Sequence, residues 1–434
     1  MTTRMTLVAL AAAAAAMAMA PAQAQSSKEV EELRQELQKL RQEVSELKKG
    51  NAAKPADASG WGERVEQLEI KQKDAVVAGD TGGSFRLPGS ETSVHLYGYA
   101  EAHAIHDFDG WGSPDNFSNL AGQPLKADSP QKGRTKFTAE TSRFGIETST
   151  PTAHGTFNTK IETDFYAYGA GSRNRLRLRH AYGEYAGWLI GQTWSTFMDL
   201  DNTTETVDFN AQLGVPFSRR TQIRYTWGDA KEGYKFTFAA EDPEDQFGGG
   251  SANERMPHLV ARFDKTFDWG GLNIRALTHE KRDASGVNKR GYGIGAGGSY
   301  KLTDKDLLVA TVASVDGDFD NMVGSNGYFF DGSKFLFDRN LGFALGWNRT
   351  FSDQLRSNVS YEESRAHMSD EMQAGLATAG VVANRRLQQL HAGFIYSPIK
   401  NVELGAEYVW GRRTTYLNGA GLMSRVDLMG RYSF

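Results

Sequence analysis

Arg175, Arg177 and Arg179 alternate with Leu176 and Leu178, so on an extended strand the three guanidinium groups share one face and the leucines the other. Stacked in this way they set up a positive potential, and each guanidinium is a forked donor that matches the geometry of a carboxylate. The chemistry on offer is the attraction and guidance of small anions. The same spacing suits a solvated face whose charges are met by Glu162 and Asp164 on the preceding segment. The two uses are compatible.

Motifs for catalysis are poor. Gly293, Gly295 and Gly298 match the phosphate-cradling G-x-G-x-x-G pattern, but Ser299–Leu302 leads into a turn and another strand, with no helix to receive a phosphate. A small-residue strand is the better account. His279-Glu280 lacks the second histidine of a zinc-protease motif, and no G-x-S-x-G occurs. Asp316, Asp318 and Asp320 are spaced to hold a cation in a loop, yet the glycine at position six and the glutamate at position twelve of an EF-hand are missing. No metal or cofactor is expected, and the chain is not expected to be an enzyme.

The elements that must position the arginines follow from periodicity. Residues 1–24 read as a secretory signal: Arg4, an apolar run from Met5 to Ala20, and Ala22-Gln23-Ala24 before the cut. No later run is apolar enough for a membrane helix. With 49 basic residues against 53 acidic ones, the formal charge of −4 gives no reason to expect nucleic acid as a partner. Within residues 25–50, Val30, Leu33, Leu37, Leu40, Val44 and Leu47 alternate spacings of three and four, a heptad seam. A helix this short is marginal alone, so self-association is its expected purpose. Residues 51–93 form a linker with a weak second helix.

From Val94 the period changes to two. In Thr156–Tyr166, Phe157, Ile161 and Phe165 fall on one face and Asn158, Lys160, Glu162 and Asp164 on the other. About sixteen such segments of roughly ten residues follow, each long enough for a tilted strand to cross a bilayer. Short turns such as Ala186–Gly187 and Asp268–Gly271 alternate with long loops such as Asp107–Thr135, Val315–Asn340 and Gly411–Met423, with a modest exception at Ala167–Asn174. That is the stringing of an outer-membrane barrel. The expected fold is all-β: an antiparallel transmembrane β-barrel of about sixteen strands over residues 94–434, with an N-terminal periplasmic coiled-coil helix. Its outer face would meet outer-membrane lipid. Lumen-facing positions would include Arg224, Arg262, Arg275 and Arg386.

Three short motifs, His95-Leu96-Tyr97-Gly98, Ser142-Arg143-Phe144-Gly145-Ile146 and Arg179-His180-Ala181-Tyr182, resemble in order and spacing those of the general trimeric porins of Gram-negative bacteria. The terminal Phe434, two residues after Tyr432, resembles the closing strand that the barrel-insertion machinery of those bacteria recognises. The resemblance implies that the third long connection, residues 194–219, folds into the barrel, with Asp199, Asp201, Glu205 and Asp208 as its acidic side. Facing it would stand wall arginines at Arg143, Arg179 and Arg219 or Arg220. Tyr99 occupies the position of the family's first-strand lysine, so the basic ladder is not copied whole.

The N-terminal heptads, absent from general porins, narrow the resemblance to the dicarboxylate-type (DcaP-like) trimeric porins. These imply a homotrimer that passes small anionic solutes such as dicarboxylates or aromatic acids, with possible periplasmic or peptidoglycan contact through the coiled coil. A sugar-specific porin also carries such an extension and is the alternative, but its aromatic lumen track is not evident here. An outer-membrane hydrolase is a third reading.

Overall fold

The computed structural model describes residue 39 and residues 77–80, 82–110, 118–126, 132–169, 172–209, 212–229, 231–244 and 253–434. The signal segment, the coiled coil apart from Lys39, and most of the linker lie outside the described residues.

From Ser93 onward the alternating segments are strands: β1 (Ser93–Asp109), β2 in two pieces (Arg134–Thr138 and Arg143–Thr152), β3 (Gly155–Gly169), β4 (Ser172–Tyr185), β5 (Trp188–Trp194), β6 (Arg219–Asp229), β7 (Tyr234–Glu241) and β8 (His258–Phe267). The second half holds β9 (Gly270–Arg282), β10 (Asn288–Lys301), β11 (Asp306–Asp316), β12 (Arg339–Ser352), β13 (Leu355–His367), β14 (Asn384–Tyr396), β15 (Val402–Thr415) and β16 (Ala420–Ser433). Each pairs antiparallel with its sequence neighbour. β16 returns to β1, from Ser424 opposite Asp109 to Ser433 opposite Tyr99, closing sixteen strands into a barrel. Closure leaves no edge, so every strand can satisfy its backbone within lipid. Phe434 completes the seam: its N–H donates to the Gly98 carbonyl at 3.0 Å, and the Gly98 N–H donates back at 3.2 Å.

The period-two pattern sorts the faces as expected. Phe157, Ile161 and Phe165 on β3, Ile223, Tyr225 and Trp227 on β6, and Leu404 and Tyr408 on β15 are exposed on the outer wall, while Glu162, Asp164, Gln222 and Glu407 are buried within. Exposed aromatics gather beside the short turns, among them Trp188, Trp227, Trp269, Tyr300, Tyr396 and Tyr432. An amphipathic ring is most stable at the headgroup level, so this belt marks one membrane interface. The turns themselves are tight: Ala186 (φ 49°) and Gly187 (φ 86°) form a two-residue connection of the type that matches strand twist.

Two expectations are corrected. The loop expected at Gly411–Met423 is only residues 416–419, because β15 and β16 stay paired up to Thr414 opposite Ala420; the charged Arg412 and Arg413 had masked the strand ends. Arg386 lies on the outer wall rather than in the lumen, where its guanidinium grips Glu363 at 2.6 and 2.9 Å beside Tyr361 and Gln388.

The barrel is not empty. Three of the long connections send segments inward. The third (195–218) places Phe197 against Val260, Leu277, Val315 and Met322, the last from the sixth (317–338). The first contributes Leu120, which packs with Leu213, Leu387, Val409 and Met423. The third and sixth loops are joined by backbone hydrogen bonds, Gly214 N–H to the Val323 carbonyl (3.1 Å) and Val323 N–H to the Val215 carbonyl (3.0 Å).

Candidate permeation site

The third loop lies along the inner wall from β7 round to β16, and each of its acidic residues has a definite partner. Glu241 on β7 accepts from the Thr196 N–H and the Ser195 hydroxyl, both at 2.7 Å. Asp199 accepts from Asn273 at 2.9 Å and faces Arg275 at 3.5 Å. Asp201 pairs with Arg262 (3.1 Å), whose other nitrogen donates to the Met198 carbonyl (2.6 Å). Glu205 is held bidentately by Arg356 at 2.7 and 2.8 Å. Asp208 accepts from the Ser118 hydroxyl at 3.1 Å and meets Arg425 at 3.4 Å.

Asp199, Asp201, Glu205 and Asp208 therefore anchor the loop to the wall it lies on. They do not face Arg143 and Arg179, as the porin pattern had implied; cations at Arg262, Arg275, Arg356 and Arg425 take them instead. The glycine-rich strand β10 belongs to the same seat. A Cβ on Gly297 would overlap the Asp199 carboxylate, and one on Gly293 would come within 3.0 Å of the Phe197 ring. Of the phosphate-motif glycines, Gly293 makes room for the loop, and Gly297 between them does the same.

The arginines gather on the first strands. Arg177 grips Asp164 at 3.0 and 2.6 Å, and Arg179 bridges Glu162 (2.7 Å) and Asp164 (2.8 Å). Arg143 reaches Glu162 only at 3.4 Å and stacks over the Tyr99 ring at 5.1 Å. Arg219 lies 3.8 Å over the Trp194 ring, in the field of Arg179, Arg177 and Arg143. Arg175 is exposed beyond a bulge at which both Tyr166 and Ala167 oppose it. Arg220 is buried elsewhere, bound to the Asp242 and Glu244 carbonyls (2.7 and 2.8 Å) and to Asp320 (3.1 Å), so of the two alternatives Arg219 is the one beside the cluster.

Sequence reading missed Arg431 and Arg356, which continue the row. Arg431 covers the other side of Tyr99 at 4.8 Å and binds Glu101 and Glu403, and Glu403 also accepts from Arg356 at 2.7 Å. No spacing rule joins β2 to β16, since these strands come near each other only through barrel closure. Burial sorts the charges. Arg143, Arg177 and Arg431 keep 22%, 23% and 24% of their side chains accessible, against 4% for Glu162, 0% for Asp164 and 2% for Glu101. At Arg143, Arg177 and Arg431 the cation faces the open lumen with a buried carboxylate behind it, whereas Arg179 is buried with its partners and Glu403 and Glu205 keep lumen exposure beside Arg431 and Arg356.

Of the other expected lumen arginines, Arg224 and Arg262 line a cavity of about 250 Å³ with Lys235, Asp201 and Asp264. Arg275 is fully buried and donates to the Phe197 carbonyl and Thr311.

A closed sixteen-stranded barrel with aromatics at the lipid interface and an inward third loop defines a porin of the bacterial outer membrane. The chain belongs to the DcaP outer membrane protein family, whose model matches residues 17–434. It is similar to the outer membrane channel DcaP of Acinetobacter baumannii, with 28% identity over 82% of this chain and 100% of that one, at a TM-score of 0.73. More distant likenesses, of fold alone, are an anion-selective porin from Comamonas acidovorans (12% identity, 79% of this chain and 100% of that one, TM-score 0.53) and OmpT of Vibrio cholerae (11%, 80% and 99%, 0.54). No functionally curated protein matches the sequence.

Proposed function

We propose that the barrel passes small anionic solutes, with carboxylates as the preferred class, by passive diffusion past the row Arg177, Arg179, Arg143 and Arg431. The observation that carries this reading is the sorting by burial at Arg177, Arg143 and Arg431, whose guanidinium groups stand at the lumen surface with Asp164, Glu162 and Glu101 behind them, while the buried Arg179 holds Glu162 and Asp164 in place. A passing carboxylate meets forked donors already held in place by Glu162, Asp164 and Glu101, so little side-chain ordering is needed to bind it. The sugar reading is disfavoured because the inward aromatic faces of Trp194 and Tyr99 are covered by guanidinium groups and are not open for a pyranose to stack on. A channel rather than a hydrolase is what family and fold support.

The test is the double variant Arg143→Gln/Arg177→Gln in a planar bilayer. Arg179 is left in place because its loss would strand two buried carboxylates. A unit charge at about 4 Å in water is worth about 1 kcal/mol, so removing two is expected to lower the anion-to-cation permeability ratio by about thirtyfold at low salt. A reversal potential that does not move in a salt gradient rules the assignment out.

The same reading includes a homotrimer. Gly98, Ala100, Ala102 and Ala104 give the outer face of β1 a flat, small-residue surface suited to close approach by another barrel, and the heptads of residues 25–50 add a second means of association. Native mass spectrometry of detergent-extracted protein is expected to give three chains; a monomer would refute it.

A further inference from the structure

Two histidines that the permeation row does not use stand side by side toward the long-loop end of the barrel. His258 opens β8 and His279 lies on β9, their rings 5.3 Å apart, and both are completely buried. Asp318, also completely buried, enters from the sixth loop. One ligand atom from each of the three lies within 4.8 Å of the other two.

The hydrogen bonding around them fits ligation. His279 Nε2 is 2.7 Å from the Asp316 carbonyl oxygen, which can only accept, so Nε2 carries the hydrogen and Nδ1 keeps a bare lone pair. A carbonyl behind the imidazole is the usual support of a metal-bound histidine. His279 Nδ1 and both nitrogens of His258 have no hydrogen-bond partner among the described residues. Leaving such atoms buried and unmet is unfavourable, and a cation would take His279 Nδ1 and one nitrogen of His258. Asp318 is already oriented: Oδ1 accepts from the Asp320 and Asn321 N–H groups at 2.8 and 3.0 Å, and Oδ2 from the Asn321 amide at 2.9 Å. Gly291 keeps the space clear, since a Cβ there would overlap the His279 ring.

We propose that His258, His279 and Asp318 bind a divalent transition-metal ion of the Zn²⁺ type, tying the sixth loop to β8 and β9. Two imidazoles and one carboxylate are a donor set for Zn²⁺, whereas Ca²⁺ and Mg²⁺ require mostly oxygen. Ligand atoms around tetrahedral Zn²⁺ stand about 3.4 Å apart, a contraction that side-chain rotation supplies. The buried Lys281 and Arg220 act on Asp318 electrostatically, so an ion there would share the carboxylate's negative charge with them. Because the sixth loop is hydrogen-bonded to the third through Val323, the ion would brace the in-folded loops as a unit.

The full-length protein, stripped with EDTA and then freed of it, is titrated with Zn²⁺ by calorimetry and with Co²⁺ by visible absorption. Binding of one ion per chain with a tetrahedral Co²⁺ spectrum is expected. His258→Gln and His279→Gln should each weaken Zn²⁺ binding by at least about tenfold, while Lys281→Met should retain or tighten it. Heat-modifiable gel mobility confirms that each variant remains a folded barrel, and Zn²⁺ should slow proteolysis of residues 317–338 in the parent but not in the histidine variants. No bound ion in the parent protein, or binding that survives both histidine changes, overturns the proposal.

Discussion

Glu407→Ala is expected to release the middle of the third loop and raise single-channel conductance while the barrel stays folded. The Glu407 carboxylate, buried on β15, accepts from the Val207 and Asp208 N–H groups at 3.0 Å each, and from His391 Nδ1 at 3.0 Å. Hydrogen bonds to a charged group contribute about 1.5–3 kcal/mol apiece, so losing the two to the loop backbone costs about 3–6 kcal/mol of anchoring. Glu407→Gln keeps a carbonyl acceptor for one of those two N–H groups and should fall between. The barrel itself is held by ladders around its circumference that this change does not touch. Conductance and loop proteolysis both unchanged in Glu407→Ala would show that the remaining contacts at Asp199, Asp201 and Glu205 suffice.

A second large effect is expected from Gly342→Val, by steric means. Gly342 faces inward on β12, against the backbone of Gly214 in the third loop. A Cβ there would overlap the Gly214 carbonyl oxygen and lie 2.5 Å from its carbon and 2.6 Å from its Cα. Backbone atoms cannot rotate away as a side-chain tip can. Gly214 also stands at φ +71°, with the Glu363 carbonyl of the same wall where its own Cβ would be, so at this point the loop backbone lies directly on the barrel backbone with no side chain between. The added side chain must push Leu213–Val215 off the wall, breaking the paired hydrogen bonds with Val323 and separating the third loop from the sixth. Overpacking of this kind costs about 1–3 kcal/mol, and its expected signature is a wider, noisier channel. Gly430→Ala on the outer face of β16, where the nearest atom to a new Cβ is at 4.0 Å, serves as the control and should conduct as the parent does. If Gly342→Val conducts like that control, the close approach does not seat the loop.

The barrel was legible because its determinants are local. Alternation at Phe157, Ile161 and Phe165 against Glu162 and Asp164 needs only the geometry of one strand, and the turn at Ala186–Gly187 needs only two residues. The charge partners of Arg177 and Arg179 were legible for the same reason: Glu162 and Asp164 lie on the adjacent strand across one turn, as they do in the structure. A signal for the inward loops was present but unused, since apolar stretches such as Leu213-Gly214-Val215 and Met322-Val323 have no reason to stand in solvent.

What alternation and charge spacing could not supply was the destination of each loop acid. Asp199, Glu205 and Asp208 meet Asn273, Arg356 and Arg425 across separations of 74, 151 and 217 residues. Which of many wall cations an acid meets depends on where the loop crosses the lumen, and that depends on glycines at 293, 297 and 342 opening space on strands far away in sequence. The sequence alone determined a strung, alternating, lipid-facing barrel and an arginine face on β4, because strand pleat and chain order carry that information residue by residue. Only the tertiary structure decided that the loop acids serve as anchors, and that Arg143 and Arg431 flank one tyrosine. Barrel closure brings β2, β1 and β16 side by side, and no periodicity along the chain records that meeting.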